Sequence, residues 1–151
     1  MSIAKKTSSS LGYTLKKTQH ALRLQMDEAL KELNLTTPQY AVLAQLELEP
    51  GISNAELARR SFITAQTMHG IVAKLERRGL IKRENSPNHG RVIFTNLAEK
   101  GHEAVQKAHR LIRDVESKMM STISHNDKII FEKLLLECLK NLNGKAPKIP
   151  H

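Results

Sequence analysis

Gln66, Thr67, His69, Gly70, Lys74 and Arg77 share one short stretch, TAQTMHGIVAKLERRG from Thr64 to Gly79, whose apolar residues recur with a helical period. Met68, Ile71, Val72 and Leu75 stand at i, i+3, i+4 and i+7 and would form a buried stripe. At 100° per residue the centre of the opposite face holds Gln66, Gly70, Ala73 and Arg77, with His69 and Lys74 beside it. A glycine here costs a helix roughly 1 kcal/mol relative to alanine. A solvated face would carry long charged side chains, whereas Gly70 and Ala73 leave the backbone free to approach something closely. A B-DNA major groove, about 12 Å wide, admits such a helix. Gln66 can then pair bidentately with adenine, Thr67 can touch a thymine methyl or a base edge, His69 can make a polar contact, and Lys74 or Arg77 can reach phosphate. The alternative is that Gly70 packs against a neighbouring helix.

The charge points the same way. Lys and Arg number 24 against 15 Asp and Glu in 151 residues, a formal net charge of +9. Between Arg59 and Arg91 lie eight basic residues and only Glu76 and Glu84, so six of the net nine charges fall in about a fifth of the chain. Such a surface calls for a polyanionic partner, nucleic acid before membrane. No apolar run approaches the ~18 residues of a spanning helix, and the start MSIAKKTSSS lacks a secretory apolar stretch. The expectation is therefore a soluble, cytoplasmic protein with no membrane partner. Cys138, the one cysteine, sits in LLLECLKNL and is expected as a buried small hydrophobe.

Enzyme chemistry finds no footing. There is no phosphate-cradling glycine loop, nucleophile elbow or HExxH, and no cofactor or metal is implied. His102 and His109 share a helix face but stand roughly 10 Å apart, too far to ligate one metal side by side. The remaining rival is a sequence-tolerant architectural DNA- or RNA-binding protein, but the aromatics that stacking requires are few, and Tyr13, Tyr40, Phe62, Phe94 and Phe131 fall mostly at apolar-patterned positions.

The elements that must position the basic stretch are legible along the chain. Leu11, Leu15, Leu22, Met26, Leu30 and Leu33 outline a helix over 10–33. LTTPQYAVLAQLELEPG predicts a helix with Thr37 as N-cap and Pro38 in its first turn, stopped by Pro50-Gly51. Ser53 to Glu56 form a capping box that starts AELARRSF, Thr64 caps the next helix, and Gly79 ends it in a left-handed conformation. LIKRE and RVIFT around NSPNHG predict a β-hairpin, a long helix follows from Asn96, and SHND caps a leucine-rich last helix. The expected fold is mainly α with a small β-hairpin: a winged helix-turn-helix over 35–96, flanked by dimerisation helices at 10–34 and 97–143, with a flexible tail at 144–151, all in a single chain of 1–151. The terminal helices carry more apolar surface than one winged domain covers, which predicts a homodimer.

Together these residues resemble the MarR family of bacterial winged-helix regulators over nearly the whole chain. LTTPQYAVLAQL is similar to that family's second-helix motif, SNAELARRSFITAQTMHGIVAKLERRGLIKR to its helix-turn-helix, and RVIFTNLAEKG to its wing strand and following helix. The resemblance implies a homodimer that reads a palindromic operator in double-stranded DNA, usually to repress transcription, and that is released by small aromatic or phenolic compounds. By position it implies base contacts from Thr64, Gln66, Thr67 and His69 and a minor-groove contact from the wing residue Arg91. Ser53, at the start of the helix-turn-helix, is counted with them. It further implies an effector site between the dimerisation helices and the winged domain, with Lys17, His20, Tyr40 and Met68 as candidates; Tyr40 and Met68 equally fit a core role. Two departures stand out: Ser86 and His89 replace the wing acids common in the family, and Gly70 stands where a polar or basic side chain is common.

Overall fold

The computed structural model describes residues 10–86 and 89–143. Helix α1, Leu11–Leu30, runs on into a tight 3-10 turn, Lys31–Leu33. Helices α2, Thr37–Leu48, α3, Asn54–Arg60, and α4, Ala65–Arg77, follow, and then the antiparallel strands β1, Ile81–Ser86, and β2, His89–Leu97. Helix α5, Glu99–Met119, returns along α1, where Lys118 Nζ donates to Gln25 Oε1 at 3.0 Å, and α6, His125–Asn143, ends the described chain. This is a winged helix-turn-helix with long helices at both ends. The expected 144–151 tail and the centre of the NSPNHG turn lie outside the described residues.

One apolar cluster holds the winged unit together. Leu30 of α1, Val42, Leu43 and Leu46 of α2, Leu57 of α3, Met68, Val72 and Leu75 of α4 and Val105 of α5 are all buried. The stripe expected on α4 is thus the buried one, with Ile71 half-exposed at its margin. Gly101 permits the closest approach in the fold: a Cβ there would collide with the carbonyl oxygen of Leu80, which already accepts the Ala98 amide at 3.0 Å.

Several local expectations shift by a residue or more. The cap of α2 is Thr36, not Thr37: Thr36 and Gln39 form a reciprocal capping box, while the Thr37 hydroxyl donates to Asp27 of α1. Ser53 Oγ does accept the Glu56 amide at 3.2 Å, but the Glu56 carboxylate turns to Arg59 and Arg60 instead of closing a capping box. The helix expected from Asn96 begins at Glu99, because β2 continues through Leu97 opposite Ile81. Cys138 is exposed rather than buried, as is every residue of α6, since that helix does not lie on the core of its own protomer.

Candidate nucleic-acid interface

Helix α4 is tied at both ends by its own sequence. Thr64 Oγ1 accepts the Thr67 amide at 3.1 Å and donates to the Thr67 hydroxyl oxygen at 2.9 Å, leaving the Thr67 hydrogen available to an outside acceptor. At the other end Gly79 takes φ +73°, with its amide on Glu76 and the Leu80 amide on Leu75. Arg78 extends this fixation, donating to the carbonyl oxygens of Asn34 at 2.7 Å and Leu33 at 3.1 Å. The C-terminus of α4 is therefore clamped to the end of α1. Burial of Met68, Val72 and Leu75 sets the rotation of the helix, so Thr64, Gln66, Thr67, His69, Gly70, Lys74 and Arg77 all face solvent. Ser53 is likewise exposed at the start of α3.

A Cβ built on Gly70 meets no atom within 4 Å. No helix of the protomer presses on this glycine, so the packing alternative has no partner within the described chain. Beside it runs an open groove of about 580 Å³, lined by Thr67, Gly70 and Lys74 of α4, by Arg23 and Asp27 of α1 and by Lys31 of the 3-10 turn, among others.

The basic residues of this region divide into two groups. Arg60 is held by Glu49 at 2.6 Å and Glu56 at 2.9 Å, Arg59 by Glu56, Arg83 by Glu76, and Arg78 by the carbonyls already described. These stabilise the scaffold. Lys74 and Arg77, on the open face of α4, make no ion pair among the described residues. Arg91 lies in β2 between the Asn85–Ile93 and Ser86–His89 pairs, where the strand register breaks; its side chain is outside the described residues.

The effector candidates are dispersed. Lys17 places its ammonium 4.6 Å from the centre of the Tyr13 ring, and His20 is exposed on α1. Met68 has no exposed surface and belongs to the core, the role kept open for it on the sequence. None of the four lines the groove beside Gly70, or the 220 Å³ cleft between α1 and α5 that includes Leu22, Val115 and Met119.

Tyr40 has a partnership that spacing could not reveal. Its hydroxyl lies 2.7 Å from His109 Nδ1, and His109 Nε2 lies 3.4 Å from Glu47 Oε1. A hydroxyl donating to Nδ1 leaves Nε2–H to donate to Glu47, so one chain of polar groups bridges α2 and α5. Burial, reinforced by Glu116 and Glu47, pushes the Tyr40 phenol above its ordinary pKa. A raised folded-state pKa means the unfolded chain loses this proton first as pH rises above about 10, so stability contributed by the neutral phenol is lost in alkali. Tyr40→Phe should cost about 1 kcal/mol at neutral pH. It should also flatten the loss of stability above pH ~10, read by denaturant titration across pH.

A family model described as MarR family matches residues 33–92, the segment from the end of α1 into the wing. The HTH-type transcriptional repressor Rv2887 of Mycobacterium tuberculosis is 31% identical over 125 residues, covering 83% of this chain and 90% of that protein. The chain belongs to the MarR family. As a MarR-family protein it is a transcriptional regulator. The M. tuberculosis MarR-family protein Rv2887 in complex with DNA matches with a TM-score of 0.76 and 28% identity, over 86% of this chain and 98% of that one. The same protein in complex with salicylic acid matches with a TM-score of 0.74 and 30% identity, over 86% and 96%. Among the described residues no helix is long and apolar enough to cross a membrane.

Proposed function

We propose that this MarR-family regulator is a homodimeric repressor that inserts α4 into the major groove of a palindromic operator and is released by a small aromatic ligand. The observation that carries the DNA reading is the face of α4: Gln66, Thr67 and His69 exposed around an uncrowded Gly70, with Lys74 and Arg77 free to meet phosphate. Thr64, Ser53 and the wing residue Arg91 complete the contact set. The relative found in complex with DNA and with salicylic acid supports both halves of the reading. Lys17 on α1 supplies an exposed ammonium for a carboxylate such as salicylate and His20 an exposed imidazole, with Tyr40, whose hydroxyl is paired with His109, as the third candidate. A competition titration tests the DNA reading. The protein should prefer a duplex from the promoter region upstream of its own gene over random duplex by ~10³ or more. Salicylate should lower that affinity. Equal binding to both duplexes would make the protein a packaging factor instead.

Support for the dimer comes from α1 and α6. Ile129, Phe131, Leu134, Leu135 and Leu139 of α6 and Leu11 and Leu15 of α1 are exposed in the protomer, more large apolar side chains than a stable monomer leaves in water. Sedimentation at micromolar concentration should give about 34 kDa, twice the 17.0 kDa chain. A monomer at that concentration would overturn the dimer. Two copies of α4 must then enter successive major grooves on one side of the duplex, with half-sites about 10 bp apart. Inserting five base pairs should abolish tight binding, and retained affinity would argue for non-specific attachment.

A further inference from the structure

Among the described residues three helical segments end in the same hydrogen-bonded turn. In each, the amide of the hinge residue returns to a carbonyl three residues back, and the next amide to one five residues back: Asn34 and Leu35 after the 3-10 turn, Phe62 and Ile63 after α3, Gly79 and Leu80 after α4. This turn requires a left-handed residue at its hinge. The three hinges have φ of 52°, 56° and 73°. Asparagine and glycine are the residues that adopt this conformation readily, whereas a bulky side chain pays roughly 1–2 kcal/mol for it. Phe62 is the exception among the three.

Strain of this kind persists where something compensates it; in the protomer the two backbone hydrogen bonds of the turn hold the hinge, and the ring itself adds nothing. Phe62 is 96% exposed, more than any other large apolar residue among those described, so its ring gains no burial. It stands two residues before Thr64, the cap of α4, in the turn that leads the helix-turn-helix forward. Arg59, Thr64, Ala65 and Gln66 around it are all exposed. A single ring among cations, hydroxyls and an amide is too small an apolar patch for a protein interface. It suits a polyanionic surface that also has apolar faces.

We propose that Phe62 is a DNA-contact residue whose ring packs on the apolar faces of the duplex at the edge of the major groove, the deoxyribose or the thymine methyl. The proposal rests on the reading of α4 as the recognition helix, because the N-terminal residues of such a helix lie nearest the bases and Phe62 leads directly into them. Burial in the complex would supply what the free protein lacks.

The test uses the full-length protein and the duplex that wild type selects from a random-sequence pool. Phe62→Gly should melt about 2–6 °C higher, because the hinge is relieved. It should bind the selected duplex about tenfold more weakly, the loss expected for one apolar contact of ~1–2 kcal/mol. Phe62→Ala, which keeps the strained hinge and loses the ring, should lose affinity equally without the gain in melting temperature. Replacing half-site thymines by uracil separates the two faces: wild type loses affinity if the ring meets a methyl and is unaffected if it meets sugar. A Phe62→Gly protein that binds like wild type overturns the proposal. So does one that binds normally but fails to repress a reconstituted promoter, which would assign the ring to a protein partner. A fall in melting temperature overturns the strain argument. If wild type selects no sequence, the regulator reading fails by itself; weaker binding of Phe62→Gly to random duplex would still uphold the contact, and equal binding would sink it.

Discussion

A Gly70→Leu protein is expected to melt higher than wild type and to bind its operator at least 100-fold more weakly, an estimate on the order of two lost base contacts. Leucine is much the better helix former, worth about 0.8 kcal/mol at an exposed helical position, or roughly 2–4 °C. The open space around the Gly70 Cβ position means that the first carbon of the new side chain meets nothing in the protomer. The penalty falls on the complex instead. A branched side chain at the centre of the exposed face would hold the helix axis away from the base edges, and Gln66 and Thr67 would no longer reach them. Gly70→Ala should gain similar stability and lose less affinity, because a methyl group intrudes less. Two measurements, a melting curve and an operator titration, decide the matter. Undiminished binding by Gly70→Leu would remove α4 from the groove, and a lower melting temperature would show that the glycine serves packing after all.

Gly101→Ala should have the opposite signature, a loss of stability of about 3 kcal/mol or on the order of 10 °C, with DNA affinity following only through the fraction folded. The first turn of α5 lies directly against the backbone at the start of the wing. An added methyl would meet the Leu80 carbonyl oxygen, a backbone atom that also accepts the Ala98 amide, and Leu97 Cδ2 at 3.3 Å. Neither the strand nor the helix can retreat without breaking the junction between β1, β2 and α5. Flexible surface side chains relieve such overlaps; a shared backbone carbonyl does not. Thermal or urea unfolding of the full chain checks this, and a change below about 2 °C would show that α5 can shift along the wing. The two glycines thus separate cleanly, one keeping space for a partner and the other keeping two elements of the same chain in contact.

The sequence by itself determined the interactions that close within a few residues. Thr64 caps α4 three residues away, Gly79 ends it, Ser124 Oγ takes the Asp127 amide at the start of α6, and the period of Met68, Val72 and Leu75 sets which face of α4 is buried. Each is a local choice of backbone angle or hydrogen bond, and residue type at fixed spacing specifies it. Even there, neighbouring candidates compete. Thr36 and Thr37 can both cap α2, and only the proximity of Asp27 on α1 draws Thr37 away. Tertiary structure alone decided the rest. The Tyr40–His109 bond joins residues 69 apart, and the Arg78 clamp reaches back 44 and 45 positions to carbonyls, which carry no sequence signature. Phe62, one of an apolar pair with Ile63, stands in solvent because the turn that orients α4 places its left-handed hinge at that position. The exposure of α6 follows for the same reason: leucine spacing predicts that a face will be covered, but the chain's path through space decides whether its own core or another surface does the covering.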